Sequence, residues 1–403
     1  KVALILPGKK DDVSFNQAMY EGMKKYADAN PDKIDLNVTE NVYEVADIEP
    51  ALMDFADQGY DVIFGHGFQF MEPIVKVGAQ YPDTYFLLGT GYKSLDNTAI
   101  YDVELEAGGY EMGVIAALAT QTNKIGVIGG ADASEIKRGH EGFKAGAKSI
   151  NPDIEIQEVY TGDWTDTAGA KEAAIGMYDA GVDVIWHSGD GIGLGVVQAA
   201  AEKDMYCLGN VADQKTLAEN NVLSGVVYQW DAIIANVFDD INNGTFKGRA
   251  EDDRYYWINA ENNGLGIADI NDPKGWLTDD DKQVIADTWS KLQSGEIKDY
   301  LPESYADAKI TFNEVVKNND THLTGMSIAR PGEQVVPNIY IENFWNDYQK
   351  GKNIDEIAGD IADIRIEYDD PSISPDMAQQ LMNYDGVKDK LQIRLCDTQE
   401  NQD

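Results

Sequence analysis

Short, continuous apolar runs bounded by glycine or polar residues alternate with longer stretches in which apolar positions recur at helical spacing. The runs at residues 2–6, 34–38, 62–64, 85–88, 125–128, 154–159, 184–186, 205–208 and 222–228 predict strands. The stretches at about 15–29, 46–57, 70–80, 106–119, 134–148, 167–179, 193–203 and 230–241 predict helices. A run that is apolar at every position reads as a strand buried on both faces, and strands that alternate with helices build parallel sheets. The rhythm therefore predicts a doubly wound α/β architecture with right-handed crossovers.

One phrase of this pattern is stated twice. Asp61-Val62-Ile63-Phe64 is followed by His66 and Gly67, and Asp183-Val184-Ile185-Trp186 by His187 and Gly189. Each copy continues through a glycine turn and a helical stretch into a second apolar run, ending at Leu88-Gly89 or Leu208-Gly209. A duplicated βαβ unit predicts two parallel-sheet lobes, and ligands of open α/β sheets bind at the strand ends. The first lobe is expected at residues 1–120 and 245–300, and the second at 121–244, with the chain returning to the first through 255–258 and 265–267. A hinge of several crossings restricts motion to opening and closing. Beyond residue 300 the rhythm fades, leaving runs at 310–316 and 335–341 and a possible helix at 344–350. Residues 301–403 are thus expected to be a C-terminal extension packed on the lobes.

Composition narrows the chemistry. The chain has 403 residues, 43% of them hydrophobic, enough for more than one core. No window approaches the roughly 18 apolar residues of a membrane-spanning helix, which reads as a soluble chain. Lys1 opens directly into the first strand, which reads as an engineered or processed start whose export signal, if any, has been cut away. Asp and Glu number 71 against 32 Lys and Arg, for a formal charge of -39, which repels phosphate backbones and anionic lipid and argues against a nucleic-acid partner. Cys207 and Cys396 match no metal-site spacing, and Cys207 reads as a buried free thiol. The four histidines, at 66, 140, 187 and 322, form no HxH or HExxH pattern, so neither a metal nor a cofactor is expected.

Candidate chemistry gathers at two turns. Asp11-Asp12-Val13-Ser14-Phe15-Asn16-Gln17 opens the first helix, with Ser14 and Gln17 spaced as a capping box. Capping does not account for Phe15. An aromatic in the first turn, flanked by Asp12 and Asn16 at the mouth of a parallel sheet, can stack on a flat ligand while the polar groups read its edge; ordinary packing is the alternative. The second turn, Gly189-Asp190-Gly191-Ile192-Gly193-Leu194-Gly195, fails GxGxxG at Leu194, and the next strand ends in Gly209-Asn210 where a ribose-binding acid would stand. His66 and His187 read as corresponding residues near the cleft. With no nucleophile or carboxylate at catalytic spacing, they suit structural or ligand-edge roles, and no catalytic residue is expected. Trp164 is a third aromatic that either faces the cleft or packs.

The segments DDVSFNQAMYEG, YDVIFGHGFQF, EAGGYEMGVIA, NKIGVIGG, DVIWHSGDGIGLGV, GNVADQ and SGEIK, in this order, resemble the basic membrane protein family of ABC-transporter substrate-binding lipoproteins, the PnrA-like purine nucleoside receptors. The resemblance spans roughly residues 1–300. It implies a type I periplasmic binding fold and a monomeric, lipid-anchored extracytoplasmic receptor that hands its ligand to an ABC permease, with the signal and anchor absent from this chain.

The resemblance also assigns roles. The base would lie between Phe15 and Trp186, with a polar shell from Asp12, Asn16, Gly209 and Asp231, the last taking the ribose hydroxyls. A carboxylate suits a vicinal diol because it accepts two hydrogen bonds at once. Three positions depart from the family pattern. Asn210 replaces the first acid of VDxDQ, while Asp213 and Gln214 remain. The segment Asn259-Ala260-Glu261-Asn262-Asn263-Gly264 lacks the family's lysine, and one strand ends in Gly89-Thr90 instead of Asp. The first lobe would then supply Thr90, Tyr92, Asn259 or Glu261, with His66 at the ligand's edge. Two other readings stay open: a nucleoside-processing enzyme on the same lobes, and a sensor for a non-purine ligand that docks on a partner through its tail.

Overall fold

The structure, a computed structural model, describes residues 1–91, 93–131, 133–248, 254–298 and 301, together with the backbone of three later strands. The expectations for 335–341 and 344–350, and for Tyr92 and Cys396, lie outside the described residues. The chain divides into two compact units, Lys1–Tyr300 and Leu301–Asp403.

Strand and helix alternate through the first unit as β1 (Val2–Ile5), α1 (Phe15–Ala29), β2 (Leu36–Thr39), α2 (Val45–Asp57), β3 (Val62–Gly65), α3 (Met71–Gly78), β4 (Tyr85–Gly89) and β5 (Thr98–Val103). The series continues with α4 (Leu105–Ala119), β6 (Lys124–Gly129), α5 (Ser134–Ile150), β7 (Glu155–Tyr160), α6 (Thr167–Asp179), β8 (Val184–Ser188), α7 (Asp190–Lys203), β9 (Tyr206–Gly209) and β10 (Val222–Tyr228). It closes with α8 (Asp231–Asn243), β11 (Tyr256–Ile258), β12 (Leu265–Ile267) and α9 (Asp279–Gln293). The first sheet has the order β11-β5-β4-β3-β1-β2 and is parallel throughout. The second has the order β12-β10-β9-β8-β6-β7 and is parallel except for antiparallel β12. In each sheet the strand order reverses once, between β1 and β3 and between β6 and β8. Such switch points open a crevice at the carboxyl ends of the strands.

Side chains alternate across each strand with period two. One core therefore runs continuously from Leu4, Phe64, Met19 and Trp230 in the first lobe to Val127, Trp186 and Phe143 in the second. The opposite faces bury Ile5, Ile63, Ile74 and Phe86 in one lobe and Ile128, Ile185, Ile192 and Cys207 in the other.

The structure corrects the expected distribution of elements between the lobes. Helix α4, expected in the first lobe, packs along α5 at glycine-limited distance: a Cβ on Gly113 would lie 2.0 Å from the Phe143 carbonyl oxygen, and one on Gly146 would lie 1.9 Å from that of Tyr110. Helix α8, expected in the second lobe, packs on α1 and β11. Strand β12, expected in the first, pairs with β10 of the second sheet. The chain thus crosses between lobes after β5, after β10 and between β11 and β12. The crossing helices are apolar enough for either lobe, so composition could not allocate them.

In the second unit, considered by itself, β13 (Thr311–Val316) pairs antiparallel with β14 (Ile361–Glu367), and β14 pairs parallel with β15 (Ile393–Leu395).

Candidate functional site

The loop after β1 delivers the start of α1 to the first switch point. Asp12, rather than Ser14, caps this helix. Its Oδ1 accepts the backbone N–H groups of Ser14 (2.9 Å) and Gln17 (3.0 Å), and its Oδ2 those of Asn16 (3.1 Å) and the Asn16 side chain (2.7 Å). The expected Ser14–Gln17 capping box is therefore absent, and Gln17 instead accepts the N–H of Val13 at 2.9 Å. Asn16 is buried, and its other amide atom accepts from Gly8 N at 3.3 Å. Asp12 and Asn16 thus spend their polar groups in shaping the loop that presents Phe15.

Phe15 is half-buried, with one ring face stacked on His66 at 3.8 Å between centroids. His66 cannot be a ligand-edge residue in this arrangement. It is fully buried, its Nε2–H donates to the Phe15 carbonyl (3.0 Å), and its Nδ1 accepts from the Tyr101 hydroxyl (2.8 Å). These partners fix the neutral tautomer, and burial pushes the imidazole down to about 3. The Trp230 indole stands edge-on to Phe15, His66, Tyr101 and Tyr228 at 6.3, 5.9, 5.4 and 5.9 Å. Its buried N–H has no partner. An unsatisfied buried donor costs roughly 1–3 kcal/mol.

The second lobe corrects the aromatic sandwich. Trp186 is a core residue: it has 0% exposure, stacks on Phe143 at 5.7 Å and donates its indole N–H to the Gly209 carbonyl at 3.2 Å. The alternation of β8 turns positions 184 and 186 toward α5, and the large indole fills that interior. Gly209 accordingly spends its carbonyl on Trp186. Asn210, next in line, is buried beside the Tyr228 hydroxyl, and its Oδ1 has no hydrogen-bond partner. His66 and His187 do not correspond, because one lies five residues and the other four beyond its repeat Asp, which sends them to opposite faces. His187 Nε2–H donates to Gln214 Oε1 at 2.8 Å, and burial lowers its pKa to about 4. Trp164 packs over Gly130, where a Cβ would meet its ring at 2.7 Å.

The two switch points meet through a residue that the sequence reading did not single out. Asp190, at the start of α7, accepts the Ser14 hydroxyl at 2.6 Å and the Phe15 N–H at 3.4 Å. Desolvation, with the nearby Asp12 charge adding to it, pushes this carboxyl up to about 6. A second link lies deeper. Arg138 of α5 is buried and donates to Glu106 (3.0 Å), Asp102 (3.5 Å) and the Val103 carbonyl (3.2 Å), while Arg138 and Arg254 each lie 4.6 Å from the Trp257 ring centre. Burial pushes the Glu106 carboxyl up, but the two guanidinium groups outweigh it and leave Glu106 below its ordinary range.

Three β-branched residues adopt left-handed backbone conformations, Val13 (φ 56°), Thr90 (φ 55°) and Val211 (φ 72°), each beyond the carboxyl end of a strand. Such conformations cost of order 1–3 kcal/mol and concentrate where function over-determines the backbone. Thr90 is buried beside the His66 end of the first sheet, where its N–H donates to the Tyr101 carbonyl at 2.9 Å. The remaining expected site residues are spent elsewhere. Asp231 is ion-paired with Lys25 on α1. Asn259 closes the turn after β11 through reciprocal bonds with Asn262 at 3.0 and 2.7 Å, and Glu261 is exposed on the same turn. Among the described residues there is no cluster of three or more metal-ligating side chains, and no helix is long and apolar enough to cross a membrane.

A family described as ABC transporter substrate-binding protein PnrA-like (Bmp) matches residues 1–301. The chain belongs to this family. Residues 289–403 match a second family, described only as one of unknown function. Among curated relatives, a purine-binding protein of Brucella abortus is 29% identical over 82% of this chain and 92% of its own. Transcriptional activator protein med of Bacillus subtilis is 31% identical over 71% and 86%. The ABC transporter nucleoside-binding protein BmpA of Lactococcus lactis is 27% identical over 71% and 85%. A solved ABC transporter solute-binding protein from Conexibacter woesei superposes with TM-score 0.60 at 26% identity, covering 75% of this chain and 99% of that one. This Bmp chain therefore carries the solute-binding fold of extracytoplasmic ABC receptors, which take small molecules and work with membrane permeases.

Proposed function

We propose that this Bmp protein is a lipid-anchored receptor that binds a purine base or purine nucleoside in the cleft between its lobes and presents the closed, loaded form to an ABC permease. The observation that carries the reading is Phe15, part-buried at the switch point of the first sheet with the Trp230 indole edge-on at 6.3 Å, together with two buried polar atoms that lack partners, Trp230 Nε1 and, on the second lobe, Asn210 Oδ1. A flat heterocycle with both a donor and an acceptor on its edge would cover the ring and satisfy both atoms. The names of the Brucella and Lactococcus relatives, purine-binding and nucleoside-binding, support the ligand class. Asp231 is held in an ion pair with Lys25, so ribose recognition by its carboxylate would need that pair to open and is a separable part of the reading.

Binding works as a receptor signal only if the ligand favours the closed state, which requires contacts from both lobes. Phe15 belongs to the first and Asn210 to the second. Calorimetric titration of ligand-stripped protein with purine bases and nucleosides tests the reading. Saturable binding that Phe15→Ala weakens supports it, and heat-free titrations across the panel refute it. A second reading, a ligand sensor that docks on a partner, is favoured by the separate Leu301–Asp403 unit and by the activator among the relatives. The charge of -39 disfavours direct contact with DNA in such a role.

A further inference from the structure

We infer that Asp190 is a positioning residue that couples lobe closure to the placement of Phe15. It is held on one lobe and makes its hydrogen bonds on the other. Its backbone starts α7 after Gly189, whose φ of 145° sets the turn, and its carboxylate accepts Ser14 Oγ–H at 2.6 Å and Phe15 N–H at 3.4 Å. Ser14 is itself 4% exposed, so this contact is enclosed between the lobes. The bond to the Phe15 backbone acts on the residue whose ring forms the stacking surface. When the lobes part, both bonds break and the first turn of α1 loses a support that Asp12 alone does not replace. Asp12 takes the N–H groups of Ser14, Asn16 and Gln17 and leaves that of Phe15 to Asp190.

The charges around Asp190 give closure a proton dependence. Asp12 faces it from the first lobe. In the second, Asp163 and Asp166 lie in the loop packed against the start of α7, engaged by Thr165 and by Gly169. In the closed form burial and Asp12 raise the Asp190 carboxyl to about 6. In an open, solvated form it would return to about 3.9. The closed form therefore binds the proton more tightly. The closing advantage is fully present below about 3.9 and is lost as pH rises through about 6. The closed-to-open ratio should fall about tenfold between pH 5 and pH 8.

The inference rests on the stacking role of Phe15 for its consequence, but closure can be measured without any ligand. Spin labels on exposed Lys9→Cys and Lys215→Cys, in a Cys396→Ser background of the full chain, report the distance between lobes. In the ligand-free protein the ratio of short-distance to long-distance populations should rise about tenfold from pH 8 to pH 5. Ser14→Ala and Asp190→Ala should deplete that population. Asp190→Asn, which keeps the hydrogen-bonding shape, should restore it and abolish its pH response. A wild-type distribution indifferent to pH, or an Asp190→Asn variant with the wild-type pH slope, overturns the inference. Titration with adenosine and adenine then separates the two claims. Normal purine binding with no pH-dependent closure defeats the Asp190 role alone, and intact pH-dependent closure with no purine binding defeats the ligand reading alone.

Discussion

Replacing Phe15 and Trp186 by alanine, one at a time, tests whether Phe15 is the proposed ligand wall and Trp186 the core beneath it. Trp186 is fully buried against Phe143, and its indole N–H satisfies the Gly209 carbonyl. Truncation removes a large buried aromatic, worth about 3–5 kcal/mol, and strands a carbonyl at about 1 kcal/mol more. That is a large fraction of the roughly 5–15 kcal/mol that holds a domain folded. Phe15 is only part-buried and loses chiefly its stack on His66, about 0.5–1.5 kcal/mol of stability. Its effect on ligand should be larger: stacking of a base on an aromatic is worth about 1–3 kcal/mol, a 5- to 150-fold rise in Kd. Denaturant unfolding without ligand and calorimetric titration with a purine, both on each variant, read the two quantities independently. The expected pattern is crossed, with Trp186→Ala costing stability and Phe15→Ala costing affinity. A Trp186→Ala protein of near wild-type stability that no longer binds would return Trp186 to the ligand wall and refute the reasoning.

Two further outcomes follow from the geometry of the site. Asp12→Ala removes the acceptor for three backbone N–H groups at the start of α1 and should lower stability by about 1–2 kcal/mol, visible as a shifted urea midpoint at unchanged slope. His66 and His187 are buried neutral at about 3 and about 4, below the ordinary 6.5, so their contribution is fully present above 6.5 and is lost as pH falls toward those values. Unfolding at pH 4.5 should therefore need less urea than at pH 7, by up to about 2–3 kcal/mol per histidine, and His66→Gln should flatten part of that slope.

The parallel-sheet architecture was legible because strands buried on both faces leave continuous apolar runs, and the repeated Asp-Val-Ile-aromatic phrase marks equivalent strands in the two sheets. The place of Phe15 in the first turn of α1, beyond the end of β1, was legible from the local motif, whereas its stack on His66 was not. Face assignment failed where it depended on a single residue of register. Trp186 lies at the same distance from its Asp as Phe64 does, and both point inward, whereas His66 and His187 differ by one position and point to opposite faces. Lobe membership failed at α4, α8 and β12, because crossings between lobes leave no compositional mark. Asp190, Trp230 and Arg138 escaped notice because their roles depend on contacts between segments far apart in the chain. Asp190 did carry a signal: it is an ionisable residue inside a glycine turn at a switch point.

A crystal structure of the chain with a purine or purine nucleoside bound tests the central claim most directly. The heterocycle is expected parallel to the Phe15 ring on the side away from His66, its edge paired with Trp230 Nε1 and Asn210, with Trp186 still enclosed beneath α5. A ligand lying against Trp186, or one bound away from the β1–β3 switch point, would contradict it.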